Sequence, residues 1–343
     1  MTAYIIRRLL FLVVVLFGVS ILIFGLLSTF SPERRAAAYV TSPKQADNIP
    51  LIVEKYGLDK PFYIQYGKWV EQVAEGNLGW SLVAARPVAQ AFWNYFPTTL
   101  ELNIFASPLV IIVGIWLGTM SGVHRDSFFD HSTRIGAIVG WSLPTFLFAL
   151  MLLMVFYGYL GWFSPGILSS EFSQWVAANP DKFVRYTGMY SIDGLLNGRL
   201  DITLNALNHL VLPIITQVIV VVALLMRVMR SGMIEEMNKD YVITAKAKGA
   251  DFKTIYKKHA KKNALIPVIT VAGQLVALSM EGSIAVEVVF NRQGMGWWLA
   301  ESATQLDMPV LMSVCMFVGL VFVLSNLIID IMYAYVDPRI RLH

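Results

Sequence analysis

DYVITAKAKGADFKTIYKKHAKKNALIPV, Asp240 to Val268, places seven lysines within 29 residues and then runs straight into an apolar stretch. As local structure it reads as two short helices. One ends near Lys248 with Gly249 at the C′ position, and the other starts after Asp251, whose carboxylate can cap the free N–H groups. In the second helix Phe252, Ile255, Tyr256, His259, Ala260 and Asn263 follow the spacing of one face, while Lys253, Lys257, Lys258, Lys261 and Lys262 fall mostly on the other. The small residues Ala245, Ala247, Gly249 and Ala250 cluster at the bend, where they would let another backbone approach closely.

The surroundings of this hairpin are far more apolar than a soluble domain requires: 56% of the 343 residues are hydrophobic and 15% charged. A helix needs roughly 20 apolar residues to cross a hydrocarbon core. Six runs qualify, and they predict an all-α integral membrane protein with spanning helices over 9–30, 98–120, 135–160, 209–228, 264–289 and 309–335. The first run is longer than a cleaved signal's apolar region, and Arg34 and Arg35 precede the small residues Ala36 to Ala38, so it reads as an uncleaved anchor. Cys315, the lone cysteine, lies in the last run and excludes a disulfide framework within the chain.

The net charge of +4 does not point to nucleic acid, because the cations follow the membrane. Residues 1–8, 121–134, 227–264 and 336–343 hold 16 Lys and Arg in 68 positions, against 11 in 134 for the alternate segments. The positive-inside rule then places both termini and the lysine-rich hairpin (229–263) in the cytoplasm. On the other side, 31–97 is long enough for a small helical subdomain, with a turn at Gly57 and Pro61; 161–208 is either a cap near the headgroups or an ordered connector. No internal repeat is found.

The lysines have a bland reading: they set topology and touch anionic lipid, at about 1 kcal/mol each near the surface. That reading leaves the small residues at the bend unexplained. The stretch resembles the cytoplasmic motif of oligopeptide and dipeptide-type permease subunits of bacterial or archaeal ATP-binding-cassette importers, whose usual form is close to DYV-TARAKG followed by HA-RNALIPV. The same family order runs along nearly the whole chain: YIIRRLL, GLDKPF with QYGKWV, GNLGWS with RPV, FPTTLEL, GWSLPTF, HLVLPIIT, VEVVFNRQGMGWW with DMPV, and NLIIDIMYAYVDPRIRL. The sequence departs from the wider importer pattern at Ile243 and Thr244, at SPERRAAAYV after the first helix, and at Gln293 before Gly294.

The resemblance implies six transmembrane helices of the type I importer kind. It also implies an ATPase-docking surface of Ala245, Lys246, Lys248, Gly249, Ala250 and Phe252. The implied partners are a second homologous permease subunit, two cytoplasmic ATPases and an extracytoplasmic solute-binding protein, besides membrane lipid. No nucleic acid is expected, and no cofactor on this chain, with ATP and Mg on the partner subunits. Relatives of this architecture carry short peptides, and others carry oligosaccharides or nickel.

Chemistry of the chain's own is not expected. There is no G-x-x-x-x-G-K-[ST] phosphate loop, H-E-x-x-H or G-x-S-x-G, and the five histidines are scattered. Glu281 and, seven residues earlier, Gln274 share a face of the fifth run, where an ionisable group costs at least ~2.5 kcal/mol at mid-depth. Two readings stand for this pair, solute contact or gating on the translocation path, and a hydrogen-bonded strut to a neighbouring helix or subunit. A proton-driven carrier using Glu281 is a rival function, though the inverted repeats usual in such folds are not found. Glu101, Asn326 and Asp330 read as interfacial or packing residues. Pro108, Pro144, Pro213 and Pro267 kink or start helices, and Arg339 and Arg341 hold the last helix at the inner leaflet.

Overall fold

The computed structural model describes residues 2–36, 39–40 and 48–336. Ala37 and Ala38, and Arg339 and Arg341, lie outside the described residues. Among the described residues the chain is built from helices, with one two-residue antiparallel ladder, β1 (Trp80–Ser81) on β2 (Arg86–Pro87). The helices are α1 (Thr2–Leu27), three short ones (α2 Pro32–Ala36, α3 Ile49–Tyr56, α4 Phe62–Ala74), α5 (Val88–Val123), α6 (Phe128–Ser142) and α7 (Thr145–Tyr159). After two short helices, α8 (Ser170–Ala178) and α9 (Tyr190–Leu196), come α10 (Leu200–Met237), α11 (Asp240–Ala247), α12 (Phe252–Ser279), α13 (Ile284–Val289), α14 (Met295–Thr304) and α15 (Met308–Val336).

Five of these helices, α1, α5, α10, α12 and α15, contain stretches long and apolar enough to cross a membrane. The sixth expected span is broken: α6 and α7 meet at 101°. Pro144 is the cause, since a proline disfavours the helical region for the residue before it, and Leu143 accordingly sits at φ −79, ψ 129. The continuous helix expected over 135–160 is therefore two arms. Pro108, Pro213 and Pro267 lie inside helices that continue through them.

Other boundaries also move. The helix expected over 98–120 spans Val88–Val123, and the one expected over 209–228 spans Leu200–Met237. The last nine residues of the expected outer loop and the first nine of the expected hairpin are thus part of α10. Both extensions follow from packing rather than hydropathy. Met229 and Met233, one helical turn apart, are fully buried in the cluster joining α5, α10 and α12, over Gly118 and Gly122 of α5, where a Cβ would come within 2.6 Å of each methionine. The run expected to continue to Val289 stops at Ser279, because Gly282 takes φ +101 and lies so close to the backbone of Gly296 that any side chain would overlap it.

α1 and α15 are joined by the Arg8–Asp330 ion pair at 2.8 Å. The helices between α1 and β1 rest on these two through Phe24, Ile52, Leu58, Trp69 and Met312. Arg35 donates to the Leu58 carbonyl at 3.0 Å and to the Gln65 side chain, tying that subdomain together.

Candidate functional site

The lysine-rich hairpin is an elbow between α11 and α12. α11 ends in a Schellman motif: Ala250 N–H donates to the Ala245 carbonyl at 3.1 Å and Gly249 N–H to Lys246 at 3.0 Å, with Gly249 left-handed at φ +79. α12 begins where the Asp251 carboxylate accepts the Thr254 N–H at 3.0 Å. Bonding to Thr254 holds the Asp251 carboxyl below its ordinary pKa, so the cap is charged at neutral pH. The inner side is sealed by Val242 and Ile255, both buried. The outer side is open: Phe252 is 50% and Ile243 58% exposed, Lys246, Ala247, Lys248 and Gly249 are exposed, and Ala245 and Ala250 half-buried. A Cβ on Gly249 would meet nothing of this chain within 4 Å. The six residues that the resemblance singles out thus form one small apolar tip flanked by cations.

Its rigidity comes from Glu236, a residue the sequence reading did not single out. One carboxylate oxygen accepts the Lys239 ammonium at 2.5 Å; the other accepts the Tyr241 hydroxyl at 2.5 Å and the Asn263 amide at 3.3 Å. Three elements, the end of α10, the start of α11 and the base of α12, are thereby knotted at one side chain. Burial, then the bond to Glu236, pushes the Tyr241 phenol up, so it stays protonated as a donor. Lys239 and Asn263 are exposed and can turn to water, so the loss falls chiefly on the half-buried Tyr241 hydroxyl, at about 1 kcal/mol or somewhat more. Glu236→Ala should therefore loosen the elbow: hydrogen exchange of the amides at 242–250 is expected to accelerate about tenfold or more, with the rest of α10 unchanged. An unchanged exchange rate at the elbow would remove Glu236 from this role. A second knot lies nearby, where Arg230 grips Asp130 through two bonds of 2.6 Å, and Asp130 also accepts from Ser121 and, at 3.0 Å, from Asp126 N–H.

At the opposite end of α5 lies a buried polar clamp that sequence reasoning missed. Glu101, expected to be an ordinary interfacial residue, is 1% exposed and pairs with the fully buried Arg292 at 2.9 Å while accepting Ser191 N–H at 2.8 Å. Glu287 accepts the Thr99 hydroxyl at 2.7 Å and the Trp297 N–H at 3.0 Å, and Thr99 in turn accepts Met295 N–H at 2.8 Å. Asp307 accepts Ser81 Oγ at 2.7 Å and Val83 N–H at 3.1 Å. Together these fasten the segment 284–307, with α13 and α14, onto α5 and the β1–β2 turn. The available signal was charge inside apolar company: Glu101 in FPTTLEL, and Glu287 with Arg292 in VEVVFNRQGMGWW. Gln293, where the sequence departs from the family pattern, is exposed beside this clamp.

A cavity of about 220 Å³ lies among α5, α10 and α12, lined by Ser107, Val110, Gln217, Ala272 and Ser279 among others. Its polar wall is fixed by Asn103, which donates to the Ser279 carbonyl at 2.7 Å and accepts from Gln217 at 2.9 Å. Gln274 and Glu281 are not there. Their immediate neighbours Leu275 and Gly282 do line the cavity, and Glu281 stands in the turn beyond Ser279, where α12 ends. Gln274 is exposed on α12 and Glu281 is half-buried in that turn. Among the described residues neither makes a hydrogen bond or ion pair, so neither is a strut to a helix of this chain.

A family model described as binding-protein-dependent transport system inner membrane component matches residues 111–342, and the model for the N-terminal part of such membrane components matches residues 1–103. The chain is 36% identical to a dipeptide transport system permease of Alkalihalophilus pseudofirmus, over 99% of this chain and 100% of the relative. It is 37% identical to a probable D,D-dipeptide transport system permease of Escherichia coli, over 96% of this chain and 94% of that one. An oligopeptide transport system permease of Bacillus subtilis is 34% identical over 99% of this chain and 100% of its own length.

Proposed function

The chain belongs to the binding-protein-dependent transport system inner membrane components, and from that membership we propose that it forms half of the pore through which an ATP-driven importer carries short peptides inward. Its similarity along almost their full lengths to dipeptide and oligopeptide permeases supports the choice of solute. The other half of the pore is a second homologous permease subunit, the solute arrives on an extracytoplasmic binding protein, and both termini and the elbow face the cytoplasm. ATP and Mg are bound by two cytoplasmic ATPase subunits, and this chain hydrolyses nothing.

The observation that carries the proposal is the elbow: an apolar tip, sealed on its inner side and exposed on its outer side. Ala245, Gly249, Ala250 and Phe252 seat in a cleft of the ATPase, with Lys246 and Lys248 on its rim. Because the Glu236 knot makes the elbow one body with α10 and α12, closure of the ATPases tilts both helices. Gln274 is exposed on α12, and Glu281 is half-buried just beyond its end, with no hydrogen bond or ion pair among the described residues. A carboxylate is costly against lipid, so this end of α12 looks onto the second permease or the wet path between the two.

The test is uptake of a labelled dipeptide by vesicles containing the four-subunit complex and its binding protein. Accumulation is expected only with ATP inside. Glu281→Ala is expected to lower uptake several-fold while the ATPases still copurify in the same ratio. Uptake by this chain alone without ATP would overturn the proposal in favour of a proton-driven carrier, and a cognate binding protein that retains a sugar or nickel would overturn the choice of peptides.

A further inference from the structure

We infer that the groove between α5 and the base of α12 binds one molecule of an anionic phospholipid. The groove has a volume of about 690 Å³; its wall on α5 includes Ile111, Ile112, Ile115 and Trp116, and α12 contributes Tyr256, Lys257 and Lys261. Ile112 is 63% and Trp116 56% exposed, an apolar surface with no cover from this chain. Lys257 and Lys261 stand four apart on one helix face, no carboxylate lines the groove, and among the described residues neither ammonium has an ion-pair or hydrogen-bond partner. Trp116 is of the residue type that settles at the level of headgroups.

Each part answers a part of one ligand. An acyl chain lies along the isoleucines and a headgroup phosphate sits between the two ammonium groups, which draw it as basic clusters beside a membrane do. A plain apolar helix of a partner subunit would cover the isoleucines but leave both lysines unmatched in a low-dielectric slot. The site does not depend on which solute is carried, and it lies outside the residues assigned to ATPase docking.

The whole importer, purified in detergent, would be exchanged into nanodiscs of phosphatidylcholine carrying trace phosphatidylglycerol and analysed by native mass spectrometry. One phosphatidylglycerol is expected to stay with each copy of this chain. Lys257→Ala with Lys261→Ala is expected to lower that preference roughly 25-fold, about fivefold per lysine. The arginine pair, K257R with K261R, retains the lipid, and Ile112→Trp, which fills the groove, expels it with the lysines intact. All variants are compared at equal ATPase content, so that misfolding is not read as lost binding. Equal retention of the two lipids, unchanged retention in the double alanine variant, or cross-linking of Ile112→Cys to the second permease in the bilayer would each overturn the inference.

Discussion

Replacing Gly249 with valine is expected to abolish peptide uptake, by about 30-fold or more, while the protein still accumulates in the membrane and its ATPases no longer copurify. Two features of the position set this result. Gly249 sits at φ +79, which a β-branched residue adopts only with strain, so valine unwinds the Schellman turn that aims the tip. A Cβ there meets nothing of this chain within 4 Å, so the substitution does not disturb the interior, and whatever it strikes belongs to a partner. Asparagine separates the two contributions, because it tolerates the left-handed region yet still places a side chain at the tip. If close approach is what the glycine provides, Gly249→Asn fails nearly as badly as valine. If only the turn matters, asparagine is close to wild type. Full uptake by the valine variant would remove the elbow from the mechanism altogether.

What could be read in advance divides along a physical line. The elbow was legible because its chemistry is local: a glycine after a helix and an aspartate before the next dictate their own caps within a few residues. The spanning segments were legible because hydrocarbon demands length and apolarity, and the peptide-permease resemblance rests on fragments in order along the chain. Helix ends were not. The stretch Val88–Phe96 and the turns holding Met229 and Met233 are helical because of what they pack against, which no window of hydropathy reports. Pro144 was marked as a kink or a helix start, but its neighbours alone do not say that the arms diverge by 101°. The clamp was invisible for a different reason. Glu101 and Arg292 stand 191 positions apart, and each alone resembles a charged residue at a membrane edge. The same limit applies to Gln274 and Glu281: their spacing places them on one helix face, but α12 ends at Ser279, where Gly282 meets Gly296, and Glu281 falls in the turn beyond it.

The clamp carries the second large expected effect, and it should fail in the opposite manner to the elbow. Glu101→Ala leaves the guanidinium of Arg292, fully buried, without its hydrogen-bonded carboxylate, with Glu287 as the remaining nearby counter-charge, and leaves Ser191 N–H without an acceptor. Breaking a buried pair from one side costs about 3–5 kcal/mol, a large share of a domain's net stability. A marked fall in the thermal midpoint of the purified complex and in its yield is expected. Arg292→Met strands Glu101 in turn and is expected to be comparably damaging. Combining Arg292→Met with Glu101→Gln removes both charges while the amide oxygen still receives Ser191 N–H, and most of the lost stability should return, since an apolar or neutral replacement of a buried pair is often near neutral. A Glu101→Ala variant within about 1 kcal/mol of wild type would show that water reaches the pair; a double variant no better than either single one would show that the residues serve separate partners. Whatever Glu101→Ala complex survives should still hold its ATPases in the normal ratio, because the elbow and its Glu236 knot lie at the far end of the bundle. Valine at 249 thus leaves a stable chain without its motor, and alanine at 101 leaves little chain with the motor still attached.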